Sequence, residues 1–168
     1  MRLLIDGYNL IHHDELLANA HARGEGREAL LEALRLYRKT KPHQMTVVFD
    51  GGVEPGPRRH SQKGVGVVFS GASGTADDYI AGQARKLGQG LTVVTEDREL
   101  TQRCQGTGAE VISSRVFAAR LWEAAMYAGA LGADEEDRGG WDFTTRKKGP
   151  ARRLPKAARR KKKRLDDL

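Results

Sequence analysis

Short runs of β-branched and aliphatic residues alternate along this chain with stretches whose apolar positions recur every three or four residues. Residues 2 to 6 read as a first strand built on Leu3-Leu4-Ile5. Ala29, Leu30, Ala33, Leu34 and Tyr37 fall at helical spacing, which predicts a helix over about residues 26 to 39, ending before Pro42. Thr46 to Phe49 predicts a second, buried strand and Val65 to Phe69 a third. A helix follows over residues 75 to 88, with Thr75 as its cap, Ile80, Ala84 and Leu87 on one face, and Gly88 and Gly90 to stop it. Leu91 to Thr95 then reads as strand, 97 to 105 as helix, Ala109 to Ile112 as strand, and about 114 to 128 as a helix turning Val116, Phe117, Leu121 and Ala125 to the core. The order βαββαβαβα predicts an α/β fold, a mainly parallel sheet covered by helices. After Gly129 the periodicity dissolves, so one domain is expected over residues 1–130 and a flexible tail over 131–168, with a short helix at 156 to 165 that forms on a partner.

Charge separates the same two parts. The 168-residue chain carries 29 Lys or Arg against 22 Asp or Glu, a net +7. Residues 146 to 168 hold twelve of those cations, all between Arg146 and Arg164, against Asp166 and Asp167, which gives the tail +10 and leaves −3 for the remaining 145 residues. An acidic body with a basic appendage over 146–164 implies a polyanion tethered by that appendage, although a charge run can also be no more than a solvated segment. Trp141 and Phe143 stand alone nearby, as base-stacking rings or as packing for the root of the tail. The single cysteine, Cys104, excludes an internal disulfide and a paired-thiolate zinc site, and reads as a packing residue. No apolar stretch approaches a membrane span and no leader pattern precedes the first strand, so a cytoplasmic location is expected.

The candidate chemistry lies in acids at strand ends. Asp6 closes the first strand, Asp50 closes Val47-Val48-Phe49, Asp77 and Asp78 open the helix after Thr75, and Asp97 follows Leu91-Thr92-Val93-Val94-Thr95 by two residues. In an open parallel sheet the carboxyl ends of the strands share one edge, outside which ligands bind. Two carboxylates about 4 Å apart repel by about 1 kcal/mol in water and about 4 kcal/mol at an effective dielectric of 20. A convergent cluster therefore calls for protons or cations, and divalent metal is the simplest resolution. Each acid also has a plainer explanation. Asp, Gly and Asn are turn residues, and Asp at a helix start satisfies the helix dipole. Recurrence at four strand ends favours the chemical reading. Of the adjacent pair, which point about 100° apart on a helix, Asp77 is expected to face the site and Asp78 to flank it.

Ile5-Asp6-Gly7-Tyr8-Asn9-Leu10, Val47-Val48-Phe49-Asp50-Gly51, Thr75-Ala76-Asp77-Asp78-Tyr79-Ile80 and Val94-Thr95-Glu96-Asp97, in this order and spacing, resemble the NYN domain family and its YacP-like branch over about residues 1 to 128. That family belongs to the PIN-like ribonucleases, whose fold is similar to that of the FLAP nucleases. The resemblance implies a Rossmann-like (PIN-like) three-layer α/β sandwich and an endoribonuclease dependent on Mg²⁺ or Mn²⁺. It implies that Asp6, Asp77 and Asp97 form the acidic centre, with Asn9 beside it. It also implies RNA as substrate, with messenger RNA on the ribosome as the setting linked to branch members. Glu96 departs from the small residue common in relatives, and either joins the metal shell or points to solvent. Asp50 either lines the site or only ends its strand.

Oxygen donors without sulfur or paired histidines suit Mg²⁺ or Mn²⁺ better than zinc. His12, His13, His21, His43 and His60 have no metal-ligand spacing and read as surface or loop residues. Asn9 is placed to orient a water or bind the scissile phosphate, and Thr95 to bond a neighbouring carboxylate or a water. Arg98 either meets a phosphate or pairs with Glu96 or Glu99. The segment Pro57 to Gly64 joins two strands and is expected to bring Arg58, Arg59 and Lys63 near the acidic edge, as phosphate contacts or as a solvated basic loop. Gly71-Ala72-Ser73-Gly74 lacks both the Gly-x-Gly-x-x-Gly spacing and the Gly-Lys-Ser/Thr ending of nucleotide loops. Two other classes compete. A non-catalytic RNA- or ribosome-binding protein would use the acids structurally. A small-molecule phosphoryl-transfer enzyme fits the acidic edge but neither the basic tail nor the absence of an Asp-x-Asp pair after the first strand.

Overall fold

The computed structural model describes residues 1–133, with side chains through Ala128. The basic tail, Trp141, Phe143 and the short helix expected at 156 to 165 lie outside the described residues. Six strands form one sheet in the order β3-β4-β2-β1-β5-β6: β1 (Arg2–Asp6), β2 (Gln44–Phe49), β3 (Arg58–Gln62), β4 (Val65–Phe69), β5 (Thr92–Val94) and β6 (Glu110–Ile112). All neighbours are parallel except β3 and β4. Helices cover both faces, completing a three-layer α/β sandwich.

On one face α1 (Gly7–His13), α2 (Glu15–Ala22), α3 (Gly26–Thr40) and α6 (Ser114–Ala133) close the larger core, which holds Leu3, Ile5, Leu34, Tyr37, Val47, Phe49, Phe117 and Leu121. On the other, α4 (Ala76–Leu87) and α5 (Arg98–Cys104) cover Leu4, Val48, Val68, Ile80, Val93 and Leu100. Cys104 is buried there as a packing residue. Residues of β1 and β2 alternate between the two cores, as a sheet buried on both faces requires. From β1 the chain builds β2 and β4 to one side and then β5 and β6 to the other, so the strand order reverses at β1. This switch point is where open α/β sheets place their ligands.

Three local expectations are corrected. Residues 7 to 22, to which the periodicity assigned no element, form α1 and α2 without a loop after β1. Asp6 itself caps α1 by accepting from Asn9 N at 3.2 Å, and Asp14 caps α2 by accepting from Leu17 N at 3.0 Å. Gly7 permits this abrupt exit, because a Cβ there would stand 2.3 Å from the Phe49 ring. The segment expected to be a basic loop is instead strand β3, hairpinned to β4 through Lys63 (φ 52°) and Gly64 (φ 77°). Two consecutive positive φ values define a type I′ turn. As an almost wholly exposed edge strand β3 shows no alternation, and its charges guard the sheet edge. Val116, expected in the core, is 43 % exposed, while its neighbours Phe117 and Ala118 are buried.

Candidate functional site

β1 ends at Asp6, only 8 % exposed, beside β5, whose Ile5↔Val94 register sets Thr95 next to it. The Thr95 hydroxyl donates to Asp6 Oδ2 at 3.4 Å and accepts from Asp97 N at 3.0 Å, linking the ends of the two strands. Asp97 caps α5, accepting from Leu100 N at 2.8 Å. On the other side of β1, Asp50 ends β2 and accepts from Ala76 N, the first amide of α4, at 2.6 Å. That bond draws the start of α4, and with it Asp77, toward the sheet edge. Four separate segments thus place Asp6, Asp50, Asp77 and Asp97 around the switch point.

The electrostatics record this convergence. Burial pushes the Asp6 carboxyl from 3.8 up to about 6, against the Asn9 amide that stabilises its charged form, and Asp77 and Asp50 push it further. Asp77 is likewise raised, first by burial and then by Asp97 and Asp50. Asp78 behaves differently. It is exposed, bonds Arg103 Nη2 at 2.6 Å, and is held below its ordinary value by that guanidinium. The geometry gives the inward position to Asp77 and the flank to Asp78.

Asn9 stands beside Asp6, with its side-chain oxygen accepting from Glu96 N and from the buried Ser114 hydroxyl, both at 2.8 Å. Its carbonyl end is thus committed to the protein, and the Nδ2 amide is what it can turn to a ligand. Ser114, which the sequence did not single out, fixes that orientation from the start of α6. The Glu96 carboxylate bonds the Ser113 hydroxyl and Arg115 N at the start of α6, and the Ser113 bond lowers its pKa.

The cations divide by position. Arg98, at the start of α5, is exposed beside Thr95 and Glu96. Arg58 pairs in register with Phe69 at the carboxyl end of β4. Arg59 lines clefts with Arg2, Gln44 and Thr46 toward the amino ends of the strands, and Lys63 lies in the hairpin turn at that end, bonding Glu32 at 3.0 Å and Glu28 at 3.7 Å. Lys63 is therefore not near the acidic edge, because the antiparallel β3 carries it to the opposite end of the sheet. The histidines are at or near the surface, but His12, His13 and His21 belong to helices and His60 to β3.

Among the described residues no three His, Cys, Asp or Glu side chains make a preformed metal cage. The donors fit a particular kind of ion nonetheless. Mg²⁺ keeps several waters and is held by one or two carboxylates together with substrate phosphates, rather than by an all-protein cage. A buried carboxylate flanked by a second acid, all donors being oxygen, meets that requirement.

The family model for the YacP-like NYN domain matches residues 3–161 of the chain. The chain belongs to the YacP-like NYN domain family. This is a ribonuclease family, and nucleases of the NYN and PIN-like kind generally use divalent metals. The match runs past residue 130 into the tail. Two crystal structures of Rae1 (YacP) from Bacillus subtilis share the fold. One, of a single-residue mutant, has a TM-score of 0.67 at 23% identity, covering 84% of this chain and 86% of that one. The other has a TM-score of 0.64 at 25% identity, covering 81% and 83%. No curated protein matches the chain. No helix among the described residues is long and apolar enough to cross a membrane.

Proposed function

We propose that this chain is a divalent-metal-dependent endoribonuclease that hydrolyses RNA phosphodiester bonds in the cytoplasm, with ribosome-bound messenger RNA as its natural substrate. The observation that carries this reading is Asp6, a buried carboxylate at the switch point whose strongest charged neighbours are the acids Asp77 and Asp50. Such an arrangement is unfavourable until a cation arrives. Asp6 and Asp77, with Asp97 beside Asp77, would hold Mg²⁺ or Mn²⁺, which supplies charge neutralisation at the phosphate and an acidified water. Thr95 steadies Asp6 and the loop to Asp97, and Asn9 offers Nδ2–H to a phosphate oxygen. Asp78, paired with Arg103, shapes the flank. The tail over 146–164 tethers RNA without choosing its sequence.

One observation favours a second reading, a non-catalytic RNA- or ribosome-binding protein. Asp6, Asp50 and Asp97 each satisfy a helix-terminal amide, so each has a structural role without any metal. Asn caps helices about as well as Asp. Asp97→Asn and Asp6→Asn therefore keep the caps and remove the charge. The test incubates the full chain and each variant with structured and unstructured RNA, and with messenger RNA on ribosomes, in Mn²⁺ or EDTA. Product formed by the wild type in Mn²⁺ only, and lost in Asp97→Asn, is expected. Equal cutting by the variant identifies a contaminant, and no metal-dependent product on any substrate establishes the binding-only reading.

A further inference from the structure

Beside Asp50, a pocket of about 310 Å³ opens at the carboxyl edge of the sheet between the β2–β3 loop and the end of β4. Phe69 forms one wall, and the guanidinium of Arg27 lies 5.6 Å from the centre of its ring. Arg58, the cross-strand neighbour of Phe69, also lines the pocket and is joined to Glu54 only by an exposed 3.8 Å ion pair. Pairs of that kind contribute little and part readily.

The pocket is built in advance. Phe49 stacks behind Phe69 at 5.8 Å. Gly71 N donates to Gly51 O at 2.9 Å and Ala72 N to Glu54 O at 2.8 Å, pinning the loop to the end of β4. Gly71, at φ 87°, comes so close to the loop that a Cβ would stand 2.5 Å from Gly56 O. His60 stacks on Phe69 from the β3 side at 5.9 Å, and Asp50 and Glu54 line the slot together with Arg27 and Arg58. A largely apolar slot with a half-buried aromatic wall and two arginines fits a base attached to a phosphate. Aromatic faces stack on any base, and Arg neutralises the backbone.

We propose that this pocket is a nucleotide subsite, taking one unpaired base of a single-stranded RNA against Phe69 and Arg27 while Arg58 and Arg27 meet its phosphates, and so fixing which bond reaches the acids beyond Asp50. The proposal rests on RNA being the substrate. It names an unpaired base, so the strand presented to the acids must be single-stranded there.

The test measures binding of the full chain to a labelled single-stranded RNA of eight nucleotides and to eight versions, each with one abasic position, in EDTA so that nothing is cut. The wild type is expected to lose about 10-fold in affinity at one interior position, in the range that base–aromatic stacking supports. Arg27→Ala combined with Arg58→Ala is expected to bind the intact RNA about 10-fold more weakly, and Phe69→Leu, checked for folding by its thermal melt, to erase the positional dependence. In Mn²⁺ the arginine variant should raise KM and spread the cuts over neighbouring bonds. Equal loss at every abasic position, or variants that bind as the wild type does, overturns the subsite. Positional binding without cleavage keeps the subsite and removes the nuclease reading, whereas cleavage indifferent to these variants does the reverse.

Discussion

Replacing Asp6 by Asn in the metal-free protein should change the pH dependence of its stability in a specific way. The unfolded chain releases the Asp6 proton near its ordinary value of 3.8, and the folded chain near about 6. Between those values the folded state binds more protons than the unfolded one, so stability falls as pH rises through that window and the loss is complete above it. One pH unit corresponds to about 1.36 kcal/mol, so the ionised carboxylate costs the folded state about 3 kcal/mol at pH 7. Asn has no proton to lose and retains the oxygen that accepts from Asn9 N. In EDTA, then, the stability difference between Asp6→Asn and wild type should grow in favour of the variant from near zero at pH 4 to about 3 kcal/mol at pH 7. For a chain of this size that is about 6 to 12 °C in Tm. Urea or thermal unfolding of both proteins from pH 4 to 8 reads it directly. Mn²⁺ at about 100 times its Kd should return about 2.7 kcal/mol to the wild type and much less to the variant. A difference curve that is flat with pH would refute both the burial of this carboxylate and the view that a cation relieves it.

Thr95→Val removes the hydroxyl that stabilises ionised Asp6 and accepts from Asp97 N, so the falling limb of the wild-type pH–stability curve should move upward in pH. An unmoved limb would show that this bond carries no weight. Gly7→Ala drives a methyl into the Phe49 ring and should cost about 1 to 3 kcal/mol in urea denaturation, the range for overpacking. A neutral result would mean that α1 yields without resistance. Truncation after Thr145 should weaken RNA binding and lower its salt dependence, while leaving the melt of the domain unchanged. On single strands the log–log slope should fall by about 0.7 for each phosphate that the tail no longer neutralises. Binding at low salt that ignores the truncation would exclude the tail as the tether.

The amino-acid sequence by itself determined the α/β class, the mainly parallel sheet and most of its elements, because a strand buried on both faces is continuously apolar and a covering helix repeats its apolar positions. It also marked Asp6, Asp50, Asp77 and Asp97 as strand-end acids, since the strand boundaries are legible from the same pattern. Elements whose signal is not periodic were left to the tertiary structure: α1 and α2 are short and begin without a loop, and β3 is polar on both faces. Only the folded chain could commit the oxygen of Asn9 to Ser114 and Glu96 N, or set the Glu96 carboxylate on Ser113 and Arg115 N at the start of α6. Lys63 shows why. Its distance from the acids follows from the antiparallel direction of one edge strand, and direction is fixed by pairing with β4 rather than by any property of the segment itself.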